Sequence, residues 1–402
     1  MSRLTVYLGT EIVGELALKD NGNIQFCYDD EYAGPAISHA LPKQSEAHPH
    51  STCLAVFGGL LLEGEGRETV ARKLGISVHN TYALLHELGG DCAGAIALVD
   101  ADYEMPGEPE RRLISPEDLD KTIRELPERP LAADAEAGAR LSLAGAQPKL
   151  PVIIEEGEIS LPLNLATATT HIIKPEPATF PGLVDNEAFC MRLAQRIGLP
   201  VASVSKFTTI SGMPCLLIDR YDRDPTADPI RRLHQEDFCQ ALGHPSERKY
   251  QDEGGPSASQ AVALLRAASA VPAQDLPTFW RALVFNWLIG NCDAHAKNYS
   301  LLYDAGAPTL APLYDLVSTT IYDSLKRRMA MTIDGARTIG EVDAVAWDKL
   351  ANELGFSRRF ADSARSEIAG RAVAEARTLI EEETHSNEAA HEVLAGILKR
   401  SR

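Results

Sequence analysis

The chain has 402 residues, 39 basic and 57 acidic, and a formal net charge of -18. Hydrophobic residues make up 45% and charged residues 24%, which is typical of a multidomain globular protein and excludes a disordered or fibrous chain. No apolar run is long enough to span a membrane, and the alternating N-terminal residues predict no signal peptide. Seven scattered cysteines are typical of reduced thiols in a cytosol. The acidic surplus disfavours a broad DNA-binding surface, which needs clustered lysine and arginine.

The first hundred residues predict a mixed unit. Two short strands flank Gly9 as a hairpin, a third covers residues 24–28, and the apolar spacing over residues 53–74 is helical. A further helix over residues 80–88 should end at Gly89-Gly90. The segment 104–138, rich in Pro, Glu, Asp and Arg, predicts a connector with one short helix over residues 116–126.

Strands dominate the middle of the chain and helices the remainder. The predicted strands cover residues 151–154, 171–173 and 214–218, and one helix covers residues 186–197. From Gln235 onward the pattern is mostly helical, with an apolar helix over residues 276–289 and a long polar helix over residues 362–383. Strands followed by many helices favour an α+β fold in two lobes.

The densest polar cluster, residues 290–299, directly follows the apolar helix. Four residues separate Asp293 from Asn298, which is the spacing of a protein-kinase catalytic loop, where the aspartate handles the acceptor hydroxyl and the asparagine binds Mg²⁺. A hairpin over residues 299–303 and 309–313 would then deliver Asp315 as a further Mg²⁺ ligand. The spacing alone is common by chance, and His295 could be a structural histidine and Lys297 a surface charge.

Elements that could handle phosphate lie upstream. The small residues of the segment 141–149 could let backbone N–H groups approach phosphates, although a tight hairpin turn is the alternative. Lys174 ends a strand, as expected for a lysine that contacts nucleotide phosphates, and Glu187 could pair with it. Both side chains could equally be exposed charges. The segment 219–223 closes the strand-rich part, where a connector between lobes would line an adenine pocket.

Nine ordered motifs give the chain a resemblance to a known family. They are LGGDCAGAIAL (88–98), LSLAGAQPKL (141–150), HIIKPEP (171–177), VDNEAFCMRLA (184–194), IDRYDR (218–223), QEDFCQALG (235–243), KY…GGP (249–256), LIGNCDAHAKNYSLL (288–302) and LAPLYDLVS (310–318). Together they resemble the HipA-like serine/threonine kinases, toxins of bacterial toxin–antitoxin modules. The resemblance implies a bilobal protein-kinase-like α+β fold with an extra N-terminal subdomain and an all-helical C-terminal lobe. The corresponding divisions are an N-terminal subdomain (1–103), a connector (104–138), an ATP-binding part (139–234) and a helical catalytic lobe (235–402).

The resemblance also assigns roles to single residues. Asp293 matches the catalytic aspartate, and Asn298 and Asp315 match the Mg²⁺ ligands. Ser142 falls where family members autophosphorylate, and a phosphate there would repel nucleotide phosphates and switch activity off. The residues expected to bind ATP are Ser142, Ala144, Gly145, Ala146, Gln147 and Lys149 of the phosphate loop, Lys174, Glu187, Asp219 and Tyr221 at the adenine, Asp222 near the ribose, His295 and Lys297.

The function implied is a cytoplasmic toxin kinase that uses ATP and Mg²⁺ to phosphorylate a protein serine. An aminoacyl-tRNA synthetase is a plausible substrate, and translation and growth arrest would follow. The expected partner is a helix-turn-helix antitoxin of the HipB type, which would carry most DNA contacts. The alternative functions are a co-repressor that acts mainly through such a partner and a small-molecule or lipid kinase.

Overall fold

The computed structural model describes residues 2–130, 142–304, 306–383 and 387–401. Residues 131–138 of the predicted connector and residues 139–141, which precede Ser142, lie outside the described residues. The chain divides into two compact units, the first formed by residues 1–175, 207–247 and 302–306 and the second by residues 176–206, 248–301 and 307–402. Each unit draws residues from several of the predicted contiguous divisions, whose boundaries stay predictions.

The first unit begins with a four-stranded antiparallel sheet in the order β3-β2-β1-β4. Leu4 and Val6 of β1 are fully buried, as the alternating pattern predicts. The predicted hairpin, the third strand and the helix ending at Gly89 are confirmed. The helical run predicted over residues 53–74 is two helices, because residues 59–63 between them are not helical. The strand β4 was not predicted. The elements are β1 (Arg3–Leu8), β2 (Glu11–Leu18), β3 (Ile24–Tyr28), α1 (His50–Gly58), α2 (Gly64–Leu74), α3 (Thr81–Leu88) and β4 (Ile96–Asp100).

A six-stranded sheet follows, in the order β5-β7-β6-β8-β10-β9. Leu119 and Ile123 of α4 pack on this sheet against Val152 and Ile173, and β5 pairs with β7. The predicted short helix over residues 116–126 is confirmed as α4, and it belongs to the folded unit together with β5, while the division as a connector stays a prediction. The unit boundary passes through β9. The elements are β5 (Arg111–Leu113), α4 (Pro116–Glu125), β6 (Leu150–Glu155), β7 (Glu158–Pro162), β8 (His171–Pro175), β9 (Val204–Thr208) and β10 (Pro214–Asp219).

The second unit is built mainly of helices, with α8 in contact with α7, α10 and α11. The predicted helical C-terminal region is confirmed, although it also contains an unpredicted β-hairpin, β16 with β17. The remaining elements of the chain are α5 (Leu183–Arg196), β11 (Arg223–Asp224), β12 (Arg231–Arg232), β13 (His234–Asp237), α6 (Phe238–Ala241), α7 (Ala258–Ala268), α8 (Pro272–Ile289), β14 (Ser300–Tyr303), β15 (Thr309–Leu310), β16 (Arg328–Ile333), β17 (Ala336–Thr338), α9 (Ala344–Glu353), α10 (Arg358–Glu382) and α11 (Glu388–Arg400).

Two predictions from composition can be compared with the fold. All seven cysteines are free, as the scattered pattern predicts. Within the described ranges, no helix has both the length and the apolar composition needed to span a bilayer.

Candidate active site

The candidate catalytic loop begins where the buried helix α8 ends. Gly290 adopts a left-handed φ of 80° and its N–H donates to the carbonyls of Asn286 and Trp287, which terminates the helix. The next residue, Asn291, is buried and donates from Nδ2 to Asn286 Oδ1 at 2.8 Å. Asn286 in turn donates to Tyr299 Oη at 3.1 Å. The loop is therefore tied to the rigid helix at both of its ends.

Asp293, the predicted catalytic aspartate, has its backbone held on both sides. Its N–H donates to Asn291 Oδ1 at 3.0 Å, and its carbonyl accepts the N–H of His295 at 2.7 Å. Its carboxylate accepts the phenolic O–H of Tyr250, with 2.6 Å between Tyr250 Oη and Asp293 Oδ1. The backbone of the residue that would receive an acceptor proton is thus held by two hydrogen bonds, and its side chain by the hydrogen bond from Tyr250.

The two predicted metal ligands join the same hydrogen-bond network. Asn298 donates from Nδ2 to the Asp293 carbonyl at 3.4 Å, which turns its amide oxygen away from that carbonyl. Asn291 donates from Nδ2 to the Asp315 carbonyl at 3.4 Å. Asp315 has a φ of 54°, an uncommon conformation for a residue with a side chain and one that occurs often at functional sites. An amide oxygen and a carboxylate are the hard oxygen donors that Mg²⁺ prefers, so the residues present fit this ion.

His295 and Lys297, in the same loop, are each 6% exposed. The alternative interpretation of Lys297 as a surface charge is therefore wrong. The ring of His295 meets the ring of Tyr250 edge-on, with 5.5 Å between the centroids. Contact of either residue with ATP stays a prediction.

The predicted phosphate loop lies in the first unit and has no regular secondary structure over residues 142–149. Lys149 is buried and donates from Nζ to the Ala144 carbonyl at 2.5 Å, so the loop curls around its own lysine. Gly145 has a φ of 105°, and a Cβ there would lie 2.6 Å from Lys149 Nζ, which explains the glycine. Ala146, between Gly145 and Gln147 in the same loop, is exposed.

Lys174 lies beside this loop. It is 6% exposed on β8, where it stands opposite Leu216 of β10. Gln147 reaches the neighbouring Pro175 carbonyl from Nε2 at 3.5 Å. The structure therefore brings the lysine and the loop together. Glu187 of α5 belongs to the second unit and is 4% exposed. The exposed-charge interpretation is wrong for both residues, and their pairing stays a prediction.

The three residues predicted to contact adenine and ribose, Asp219, Tyr221 and Asp222, all have side-chain partners within the protein. Asp219 is exposed and pairs with His171 Nε2 at 3.3 Å; burial lowers the pKa of His171, and Asp219 opposes that effect. The Tyr221 phenol donates to Gln235. Asp222 is 3% exposed, and its carboxylate accepts hydrogen bonds from the Arg220 guanidinium and from Gly94 N–H at 2.7 Å. In this structure the Asp222 carboxylate therefore bonds to protein groups. A contact between Asp222 and a ribose stays a prediction.

Asp222 belongs to a buried ionic network that joins two of the sequence motifs. Asp91, from the 88–98 motif, accepts hydrogen bonds from Arg223 at 2.9 Å and from Arg232 at 3.1 Å. Burial by itself would raise the pKa of Asp91, but Arg232, Arg223 and Arg220 lower it to about 2. The Asp91 carbonyl also accepts the N–H of Ser142 at 3.0 Å. The network therefore holds the 219–223 segment and one end of the phosphate loop together.

Sequence reasoning did not assign Asp91, Tyr250 or Asn291 to the site. Each lies inside a motif that carried the resemblance, and Asn291 stands two residues before Asp293. Membership of these motifs was the sequence signal for the three residues. Their roles depend on hydrogen bonds, and the partners of Tyr250 and Asp91 are distant in sequence. Tyr250 and Asp293 are 43 residues apart, and Arg223 and Asp91 are 132 apart.

The candidate catalytic loop with Asp293, Asn298 and Asp315 and the separate loop beside Lys174 are the features expected of the kinase class of proteins. Comparisons with known proteins identify the family. The family model described as HipA N-terminal domain matches residues 4–99, and the model described as HipA-like C-terminal domain matches residues 141–376. The chain belongs to the HipA family, which confirms the resemblance.

Individual relatives agree with this assignment. A Sinorhizobium fredii protein named "Putative kinase Y4mE" is 46% identical over 88% of this chain and 86% of its own length. The Shewanella oneidensis serine/threonine-protein kinase toxin HipA is 30% identical over 92% of this chain and 87% of its own length. A solved Shewanella oneidensis structure of HipA, HipB and operator DNA matches with a TM-score of 0.86 and 28% identity, over 99% of this chain and 96% of that chain. The predicted kinase-like fold is confirmed by this match.

Proposed function

We propose that the chain is an ATP- and Mg²⁺-dependent serine/threonine protein kinase that acts as a toxin. The observation that carries the proposal is the network in which Asn291 connects Asp293 with Asp315 and Asn298 contacts the Asp293 carbonyl. A carboxylate for the acceptor proton and oxygen ligands for a cation are what phosphoryl transfer needs, since its catalysis is mostly positioning and electrostatic stabilisation.

In the proposed reaction, Asp293 receives the proton of the acceptor hydroxyl. The acceptor oxygen forms a bond to the γ-phosphorus while the bond to the β,γ-bridging oxygen breaks, and ADP leaves. Asn298 and Asp315 would hold Mg²⁺, which supplies charge neutralisation on the phosphate oxygens when it is bound. Lys174 and Lys149 would add positive charge to the phosphates, and Gly145 allows the close approach of Lys149 to its loop.

Buried Ser142 supports a regulatory part of the proposal. Its side chain is 0% exposed, and its Oγ donates to the Leu60 carbonyl at 2.7 Å. We infer that autophosphorylation at Ser142 requires the loop to leave this site. A phosphoserine, with a charge of about -1.5 to -2, could not return to a buried pocket that offers a carbonyl acceptor. Loss of the loop would remove phosphate-binding groups and lower activity.

The acceptor and the partner follow from the relatives. The name of the Shewanella relative supports a serine or threonine acceptor and a toxin role, with translation and growth arrest as the outcome if the substrate is an aminoacyl-tRNA synthetase. The solved structure of HipA with HipB and operator DNA favours a HipB-type antitoxin as partner and a co-repressor role beside the kinase activity. We propose a bacterial, cytoplasmic site of action.

Purified protein incubated with γ-labelled ATP and Mg²⁺ tests the function. We expect the wild type to transfer label to itself, with phosphate on Ser142 by mass spectrometry, and to a protein acceptor found by phosphoproteomics after controlled expression. Asp293→Asn should lower transfer by about 10²- to 10⁴-fold, because it removes the proton acceptor. Its midpoint of thermal unfolding should stay near that of the wild type, because the change is isosteric.

Asp304→Asn is the matched control, since Asp304 is an exposed aspartate that pairs with Arg231 on the surface. It should transfer phosphate at the parent rate. A folded Asp293→Asn variant with the parent rate would contradict the kinase assignment. An inactive wild type with tight binding to a HipB-type partner would favour the co-repressor function instead.

A further inference from the structure

Tyr250 reaches the candidate catalytic aspartate directly, although no sequence pattern assigned it a role. Its phenolic O–H donates to Asp293 Oδ1 with 2.6 Å between the oxygens. This is the short distance of a charge-assisted hydrogen bond from a hydroxyl to a carboxylate. Both residues belong to the second unit.

This hydrogen bond restrains the orientation of the Asp293 carboxylate, which the backbone hydrogen bonds do not determine. The Asp293 N–H and carbonyl are already held by Asn291 Oδ1 at 3.0 Å and by the N–H of His295 at 2.7 Å. Its side-chain torsions are not determined by those bonds, and the torsion about a carboxylate is broad when nothing restrains it. The Tyr250 bond restrains that torsion and directs Oδ1 toward the phenol.

Tyr250 is itself well anchored. Its carbonyl accepts the N–H groups of Glu253 at 3.0 Å and Gly255 at 2.9 Å. The adjacent Gln251 accepts the N–H of Thr332 in β16 at 2.8 Å, which ties the segment to the hairpin. Its ring also lies edge-on to His295 in the catalytic loop. The phenol is therefore presented by a segment with attachments on several sides.

We propose that Tyr250 is a positioning residue for the transfer reaction. It holds Asp293 Oδ1, so that Oδ2 is directed to receive the proton of the acceptor hydroxyl. The inference rests on the proposed kinase function and adds a residue to it. The contrary role is a gate, in which the phenol occupies the acceptor's place and must swing away. The anchored segment favours positioning, since a gate needs freedom to move.

Tyr250→Phe tests the proposal because it removes the O–H and keeps the ring. We expect kcat for phosphoryl transfer to fall about 10- to 100-fold, as for a reacting group that is slightly misplaced. The KM for ATP should stay within about twofold, because the O–H that is removed bonds to Asp293, the residue that handles the acceptor. A smaller folded fraction would also lower the apparent kcat at an unchanged KM, so circular dichroism and thermal unfolding measure the folded fraction and kcat is expressed per folded protein.

Tyr303→Phe is the matched control, because Tyr303 also donates its phenolic O–H to a carboxylate, that of Glu236, outside the proposed site. It should leave kcat unchanged, whatever its effect on stability. Tyr250→Phe should also cause little additional loss in an Asp293→Asn background, since residues that act as one unit are not additive.

Two outcomes would overturn the positioning role. A Tyr250→Phe variant with the wild-type kcat would show that the bond has no role in transfer, and one with a higher kcat would assign Tyr250 as a gate. These outcomes differ from failure of the proposed function, in which the wild type and the Asp293→Asn variant would transfer phosphate equally or not at all.

Discussion

Lys149, Lys174 and Lys297 are 7%, 6% and 6% exposed, although lysine is a side chain that folded proteins almost always leave in water. Burial of a charge is costly unless partners compensate it. Three such residues among the predicted nucleotide contacts are more consistent with a functional site than with a solvated face. The sequence identified the residues, and burial excludes the exposed-charge interpretation of Lys174 and Lys297, while their contact with ATP stays a prediction.

Glu236 is a buried carboxyl that the proposed reaction does not use. It accepts hydrogen bonds from Ser38 Oγ at 2.5 Å, from His39 N–H at 2.9 Å and from the Tyr303 phenol. Burial raises its pKa from 4.5 to about 7, against the opposing effect of these donors. The folded state therefore holds a proton that the unfolded chain releases near pH 4.5.

A raised carboxyl pKa makes the contribution of Glu236 to stability largest below about pH 4.5, and that contribution is lost as the pH rises to about 7. We expect Glu236→Gln, which cannot titrate, to gain about 3 kcal/mol in free energy of unfolding relative to wild type over that window. Denaturant unfolding of both proteins at pH 4.5, 5.5 and 7.5 measures it.

Comparison with Glu236→Gln is necessary because the contribution of His234, two residues away, to stability changes with pH in the opposite direction. Burial lowers the pKa of His234 to about 4, so its contribution is lost as the pH falls from 6.5. The wild-type profile is the sum of both effects, whereas the difference between the two proteins isolates Glu236. A difference that does not change with pH would contradict the raised pKa.

Helix α8 shows at the scale of an element how the site is presented. The sequence predicted it from Leu276, where the apolar pattern begins, but it starts at Pro272, because proline is favourable in the first turn. Phe279 and Trp280 are fully buried, and the Trp280 ring meets that of Trp347 edge-on at 5.3 Å between centroids. A helix held in this way gives the loop that follows it a rigid origin.

Gly290, at the end of α8, is a position where any side chain should destabilise the protein. A Cβ there would lie 2.1 Å from Thr320 Oγ1, on a residue that already has a φ of 80°. We expect Gly290→Ala to lower the free energy of unfolding by about 2–5 kcal/mol, as the sum of left-handed strain and overpacking. Activity should fall as well, because Asn291 follows directly.

Denaturant unfolding of Gly335→Ala separates the contribution of left-handed strain from that of overpacking against Thr320. Gly335 has a similar φ of 75°, but nothing lies within 4 Å of its Cβ position. Its alanine variant should lose only about 1–2 kcal/mol from strain. Equal losses in both variants would show that contact with Thr320 does not contribute.

The β16–β17 hairpin is an element that the sequence could have revealed. Asp334-Gly335 lies between its strands, and both residues have a positive φ, of 48° and 75°. An Asp-Gly pair of this kind is a strong short-range signal for a hairpin. The surrounding helical pattern concealed it.

The net charge of -18 is a property of the whole molecule, and it bears on partners. An acidic chain disfavours binding of a phosphate backbone but can attract a basic protein. The proposed kinase site would need only local positive charge, which the buried Lys149 and Lys174 would supply.

We therefore expect the isolated chain to show no tight binding to duplex DNA by fluorescence anisotropy, at salt concentrations between about 50 and 200 mM. Addition of a basic helix-turn-helix partner should bring the chain onto that partner's operator. Tight binding by the isolated chain that weakens steeply with salt would contradict this prediction.

The sequence by itself determined the type of most helices and strands, the family and the position of the candidate catalytic loop, because periodicity, helix ends and motif order are local features. It could not determine the side-chain partners. Asp91 meets Arg223, and Tyr250 meets Asp293, only after segments far apart in sequence have packed. The same packing buries Asp222 among arginines, splits one predicted helix into two, adds β5 to a sheet and places α4 against that sheet. Local patterns specify elements, whereas tertiary contacts decide which polar groups meet and what each can then do.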